Sequence, residues 1–187
     1  MANDADNVRA ALNGSIFMAP KGTTAPADLD TAWDAAWVDL GFMSDDGVSM
    51  EYSTDVEDIN AWQSLSPVRR ILTSVDMTLG FTAIELKART ITAYFPGSTI
   101  TNVSGAIQRL DIPAAPGPQE FAFGLEWIDG EIKNRLVIPR GEITDRGAIS
   151  LGRSSAVGLE MTVSAYASSA PEIATWLSND PAWALAA

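Results

Sequence analysis

Two residue types are missing outright from this 187-residue chain: cysteine and histidine. Without cysteine there is no disulfide, no thiolate nucleophile and no thiolate-ligated zinc or iron–sulfur centre. Without histidine the usual general base, the commonest zinc ligand and the middle member of a Ser-His-Asp triad are gone. Most hydrolytic and redox sites depend on one or the other, so the composition argues against an enzyme. Only carboxylate, Lys or Ser-Lys chemistry is left. Positive charge is scarce as well: 12 Lys and Arg stand against 24 Asp and Glu, a net −12. Such a balance argues against simple binding to phosphate backbones or anionic membranes, but it does not exclude a surface past which DNA slides without sticking. No apolar run approaches the roughly 18 residues of a membrane span. The opening MANDADNVRAALNG carries Asp4 and Asp6 and no apolar core, so it does not read as a secretory signal. The expectation is a chain made in the cytoplasm and kept there until it is assembled.

What is present is a globular composition, 47% hydrophobic and 19% charged, of a length suited to one domain. Its dominant signal is alternation. Ile71, Val75, Met77, Leu79 and Phe81 are apolar at odd positions, with Ser74, Asp76, Thr78 and Thr82 between them. The pattern returns at Phe121, Phe123, Leu125 and Trp127 against Glu120, Ala122, Gly124 and Glu126. It returns again at Val157, Leu159, Met161, Val163 and Ala165. Period-2 alternation marks half-buried strands. Shorter strand-like runs lie at 14–19, 37–43, 48–53, 106–112, 132–138 and 141–151. Asp129-Gly130 predicts a hairpin between the 121–127 and 132–138 strands, with Pro139 ending the second. Asp46-Gly47 predicts another turn.

One segment departs from this pattern. Thr82 and Glu85 have capping-box spacing, and Ile84, Ala88, Ile91 and Phe95 follow at helical intervals before Pro96-Gly97. This predicts an amphipathic helix over 83–94, with Glu85 and Arg89 paired at i, i+4. A second short helix is possible over 28–36. The segments 21–30 and 53–68 read as long irregular connections, and such loops are usually functional. The second holds Ile59, Trp62 and Leu65, which are too apolar for a solvated loop.

No chemical motif is strong. Asp45-Asp46 and Asp4/Asp6 are carboxylate pairs that would suit calcium or acid–base work, but the first sits in a turn beside Gly47 and no EF-hand spacing exists. The glycines form no phosphate-binding loop. Arg69-Arg70 is the basic doublet. It could contact phosphate, but in so acidic a chain it better suits carboxylates within the fold or across an interface. Six tryptophans occur, at 33, 37, 62, 127, 176 and 183. Trp37 and Trp127 sit in strand patterns and read as core. Trp62, Trp176 and Trp183 lie in a loop and a tail, where a neighbouring subunit is a natural cover.

The stretches GSIFMAPKGTTAPADL (14–29), AWVDLGFMSDDGVSMEYS (36–53) and EDINAWQSLSPVRRILTSVDMTLGFTAIEL (57–86) together resemble the major tail tube proteins of long-tailed (siphovirus-type) bacteriophages. The likeness lies in the order of a short strand, a G-T-x-x-P loop, a W-x-x-L-G-x-x-S-x-D-G hairpin, a tryptophan-bearing loop and an arginine-bearing strand. It is closest over roughly residues 10–100. The resemblance implies a mainly β, single-domain sandwich or barrel-like fold with one flanking helix, contributing strands to a hexameric ring. Rings would stack into a hollow tube that conducts DNA from capsid to host, without enzymatic activity or cofactor. On this chain the single domain would span 1–187, with 53–68 as the stacking loop and 1–13 and 171–187 as terminal arms. Ile59, Trp62, Leu65, Arg69, Arg70, Trp176 and Trp183 would be inter-subunit residues, and Asp76, Glu120 and Glu126 would line the lumen. The partners implied are further copies of the chain and the tail terminator, tape-measure and tail-tip proteins. DNA would pass without specific binding. A terminator or initiator ring protein of similar fold is one alternative; a carbohydrate-binding β-sandwich using its exposed tryptophans is another. An acid-type hydrolase is more distant, since no carboxylate pair of known separation can be picked out.

Overall fold

The computed structural model describes residues 5–169 and 171–184. Its strands are β1 (Asn13–Pro20), β2 (Val38–Asp39), β3 (Met43–Ile59), β4 (Arg69–Ala83), β5 (Thr99–Ser104), β6 (Ile107–Asp111), β7 (Phe121–Asp129), β8 (Ile132–Arg146), β9 (Leu159–Ala165) and β10 (Thr175–Ser178). One α-helix, α1 (Ala88–Tyr94), follows β4. Seven strands lie side by side in one antiparallel sheet in the order β2-β1-β7-β8-β9-β4-β3, β10 joins that sheet as an eighth strand on β8, and β5 and β6 make a separate hairpin. β10 takes the edge of β8 that β9 leaves: β9 lies opposite Gly141–Arg146, and β10 opposite Asn134–Val137. The strands follow the alternation, and the architecture is mainly β and sandwich-like with one helix, as the resemblance implied.

The alternating residues converge on one face. Ile16 and Met18 of β1, Leu79 and Phe81 of β4, Phe123 and Leu125 of β7, Ile138 and Ile143 of β8, and Met161 and Val163 of β9 are all buried there, together with Ala93 and Tyr94 of α1. Burying each large apolar side chain contributes about 1.5–3 kcal/mol before chain entropy is counted. The opposite face is covered only in part. Ala19, Trp37, Ala122 and Val137 form a smaller cluster there with Phe17, Ala25 and Trp33, so the 21–37 connection lies across β1, β7 and β8.

The structure departs from expectation at five places. The helix starts at Ala88, with Lys87 at its N-cap and no side-chain cap. Thr82 is instead the β4 residue opposite Glu160, and Glu85 accepts from the Phe42 N–H (3.1 Å) and pairs with Lys87 (3.2 Å). Arg89 lies over the Phe121 ring. Sheet pairing has therefore claimed the capping-box threonine. Asp46-Gly47 is no hairpin turn. The register shift between Met43 and Val48 makes it a bulge inside β3, with Gly47 at φ +72. Pro139 does not stop its strand, because it falls at the bulge where Phe121 faces Gly141 and Phe123 faces Ile138. The ladder is already interrupted there, so the missing N–H costs little. Residues 28–36 are not helical: Asp28 accepts from the Asp30 and Thr31 N–H groups, and Asp34 from Ala36. Short polar side chains that satisfy nearby backbone in this way compete with helix. Lastly, 53–59 belongs to β3, so only 60–68 is loop. The Asp129-Gly130 hairpin does form, with Asp129 opposite Ile132 and Gly130 at φ +60.

Candidate assembly surface

β3 and β4 form a long hairpin that changes character halfway. From Met77 to Ala83, alternate β4 side chains are buried, and β9 pairs the other edge from Thr78 onward. Before Met77, β4 has β3 as its ladder partner and residues 69–73 are all exposed. The apolar side chains of the stem do not turn to any core. Met50, Tyr52, Val56, Ile59, Ile71, Leu72 and Val75 are exposed, and at the tip Trp62 and Leu65 are 100% and 109% exposed. A two-stranded ribbon is marginal by itself in water. β3 is also the outermost strand of the sheet, 17 residues long, and a long exposed edge invites pairing with another chain. The arginine doublet is divided. Arg70 makes a two-pronged contact with Asp58 across the ribbon (2.6 and 3.1 Å), while Arg69 stands exposed opposite Ile59.

The face of this half of the sheet that points away from the core is uniform in chemistry. Directly opposite residues share a face in an antiparallel pair. The rows are Ser49–Gly80–Thr162, Glu51–Thr78–Ser164, Ser53–Asp76, Asp55–Ser74 and Thr82–Glu160. Every side chain on them is a hydroxyl, a carboxylate or the bare hydrogen of glycine. Thr144 of β8 extends the set through a 2.7 Å hydrogen bond between its hydroxyl and that of Ser164. Four carboxylates of β3, β4 and β9 (Glu51, Asp55, Asp76 and Glu160) stand exposed here, and Asp145 of β8 stands exposed opposite Thr162.

The three acidic residues singled out from sequence share this side of the sheet but not this condition. Asp76 is open, touched by the Ser74 hydroxyl at 3.3 Å. Glu120 is held between Arg140 and Lys21, and the hydrogen bond from Arg140 above all lowers its pKa to about 2. Glu126 lies opposite Arg135 in the β7–β8 ladder and accepts from its Nε (2.6 Å) and its Nη2. That guanidinium is 3% exposed, donates a third bond to the Asp28 carbonyl, and lies 4.8 Å from the Trp33 ring centroid. Both glutamates are thus neutralised in pairs within the subunit.

Sequence reasoning missed Trp33. It stacks on Phe17 (4.7 Å), tilts against Trp37 (4.7 Å) and fills the space a side chain at position 124 would need. Gly124, in an otherwise large-residue strand, is the signal that could have found it. The segments expected as arms lie on their own sheet in their described parts. Leu12 donates to the Ile128 carbonyl, Arg9 makes a two-pronged pair with Asp180 (2.6 and 2.9 Å), and β10 extends β8. Trp176 packs between Trp127 (4.9 Å) and Trp183 (5.0 Å) and donates to Asn134, which leaves it 38% and Trp183 51% exposed. The outermost parts of both segments, 1–4 and 185–187, lie outside the described residues.

Among the described residues, no group of three or more acidic side chains is placed to hold a metal ion, and no helix is long and apolar enough to cross a membrane. Fold and surface together define a β-structured subunit whose distinctive chemistry lies in a sheet face and an open edge. Compared with known families, the chain matches the phage tail tube proteins over residues 1–186, and it belongs to that family of structural components of the phage tail. Comparison with curated proteins gives no match.

Proposed function

We propose that this chain is the repeating, non-enzymatic subunit of the tube of a long phage tail. Copies assemble in the host cytoplasm into hexameric rings. The rings stack into a hollow conduit through which DNA leaves the capsid, and the conduit ends on terminator, tape-measure and tail-tip proteins. The observation that carries this reading is the β3–β4 hairpin: a 17-residue edge strand and a cluster of exposed apolar residues that the subunit itself does not cover. Ring closure would pair that edge with a neighbouring copy. The hydroxyl-and-carboxylate face behind it suits the lumen, because carboxylates repel phosphates and small hydroxyls offer nothing for bases to stack on. On this assignment Glu51, Asp55, Asp76 and Glu160 supply the lumenal charge, in place of Glu120 and Glu126.

Negative-stain electron microscopy of the purified protein at high concentration tests the proposal. Hollow tubes or stacked rings are expected. A lasting monomer or irregular aggregate, even when seeded with tail-tip complexes, would refute it.

A further inference from the structure

Stacking rings in one direction brings one end of a subunit against the opposite end of a copy in the next ring. The sheet register fixes what lies at each end. β4 and β8 are both antiparallel to β9 and so run parallel to each other. The hairpin tip at 60–68 therefore points the same way along the sheet as the Asp129-Gly130 turn. The start of β7 and the end of β8 lie at the other end. There a cavity of about 250 Å³ opens beside α1, walled by Pro96, Pro116, Pro118 and Phe121, with Glu142 and Arg146 also in its lining. It is smaller than the roughly 300–1,000 Å³ typical of small-molecule sites. Its size and its proline and phenylalanine walls suit one large apolar side chain.

The charge beside it is also unfinished. Arg89 lies 5.2 Å from the centroid of the Phe121 ring, and its Nε is buried without a hydrogen-bond partner. Burial lowers its pKa below the ordinary arginine value. The hairpin carries the complements of both features: Trp62 and Leu65, fully exposed at the tip, and the exposed carboxylate Glu57 on the stem.

We infer that Trp62 of one copy seats in the proline-lined pocket of a copy in the adjacent ring, with the stem carboxylate Glu57 facing Arg89. The inference rests on the stacked-tube reading and adds to it a specific knob, a specific hole and a polarity for the stack. Tryptophan, with tyrosine and arginine, is enriched among the residues that anchor interfaces in fully desolvated pockets.

Two substitutions test it without touching the core. Trp62→Ala removes a fully exposed side chain. Gly117→Leu adds one within the pocket wall at a position where a Cβ meets nothing within 4 Å. Both variants should keep the wild-type circular dichroism and melting temperature as dilute monomers. Each should raise the protein concentration needed for tube growth about tenfold or more, or abolish growth. The chain has no cysteine of its own, so a Ser64→Cys, Gly117→Cys double variant joined by a short bismaleimide reports the contact directly. Axial contact gives a ladder of linked chains extending past six. Normal tube growth by both single variants, or wild-type-like tubes with no ladder, overturns the inference and leaves the tube reading standing. A ladder that stops at ring size overturns it in favour of a contact within the ring. Failure of the wild-type protein to assemble at all removes the tube reading, and this inference with it.

Discussion

Removing the Glu126 carboxylate decides whether that residue is structural or lumenal. In Glu126→Ala the Arg135 guanidinium stays 3% exposed, with the Asp28 carbonyl and the Trp33 ring as its remaining contacts. Breaking a buried ion pair by deleting one partner costs about 3–5 kcal/mol, because the other charge is left uncompensated. Glu126 itself is 30% exposed, so water reaching the vacated site brings the expectation to the lower end, about 3 kcal/mol. For a domain of this size that is a fall of about 6–12 °C in melting temperature.

The assay is a urea or thermal melt followed by tryptophan fluorescence, on protein dilute enough that assembly adds no stability. Replacing both partners by apolar residues of similar shape, Glu126→Leu with Arg135→Met, should recover most of the loss, because a buried pair is worth little against well-packed hydrocarbon. The two single changes would then show an interaction energy of about 2 kcal/mol or more. A Glu126→Ala protein that melts within about 2 °C of wild type would refute the reasoning. It would mean that the arginine is solvated in solution and that Glu126 is free to serve the lumen.

Gly124→Val should destabilise by about 1–3 kcal/mol, since the Trp33 ring occupies the space its side chain would enter; the melting temperature and the near-ultraviolet tryptophan signal should fall together. Trp176→Ala should cost about 2 kcal/mol, less than the 3–5 of a fully buried aromatic, because the ring is 38% exposed while bridging Trp127 and Trp183. Stability should decline in acid: Glu120 has a folded pKa of about 2 against an ordinary 4.5, lowered first by the Arg140 hydrogen bond. A carboxyl depressed in the folded state contributes stability above its unfolded pKa and loses it as pH falls toward the folded one. Asp180, lowered mainly by Arg9, and Glu85, lowered mainly by the Phe42 N–H, act in the same sense, so melts from pH 5 down to pH 2 should show a progressive loss, shallower in Glu120→Gln.

The strands with one buried face were legible, and the element with none was not. Phe121 to Trp127, Met77 to Phe81 and Leu159 to Ala165 alternate because one side of each meets the core, whereas Ile71 and Val75 carry the same parity onto the exposed ribbon. Residues 53–59 read as loop because alternation depends on a buried face, and Asp55, Glu57 and Asp58 sit on a ribbon exposed on both sides. Thr82 and Glu85 gave a true capping-box spacing that lost to ladder pairing with Glu160, a tertiary contact invisible in a local window. β2 and β10, of two and four residues, are too short to show any period. In the candidate surface, the apolar tip at Trp62 and Leu65 was readable from composition. The fate of Glu120 and Glu126 was not, since Lys21 is 99 residues away from Glu120, and Arg135 is recognisable as a partner only once the β7–β8 register is known.

β4 condenses the relation between fold and role into one strand. Its C-terminal half, Met77 to Ala83, is paired on both edges and buried on alternate residues, and so belongs to the folding unit. Its N-terminal half extends past the end of β9 for about 25 Å at the usual strand rise, with β3 as its ladder partner. Free energy for the first half comes from the core that β1, β7, β8 and β9 also share, so the subunit can fold before it meets a copy of itself. The second half is held only by its hairpin and by that anchorage, and its edge and apolar side chains remain to be satisfied. On the proposed reading this division separates two kinds of variant. Changes at Leu79 or Phe81 should lower monomer stability, whereas changes at Ile71, Leu72 or Val75 should leave the monomer intact and act on assembly alone. On that reading, a subunit divided in this way folds first and commits its open edge only when a neighbour is in place to pair with it.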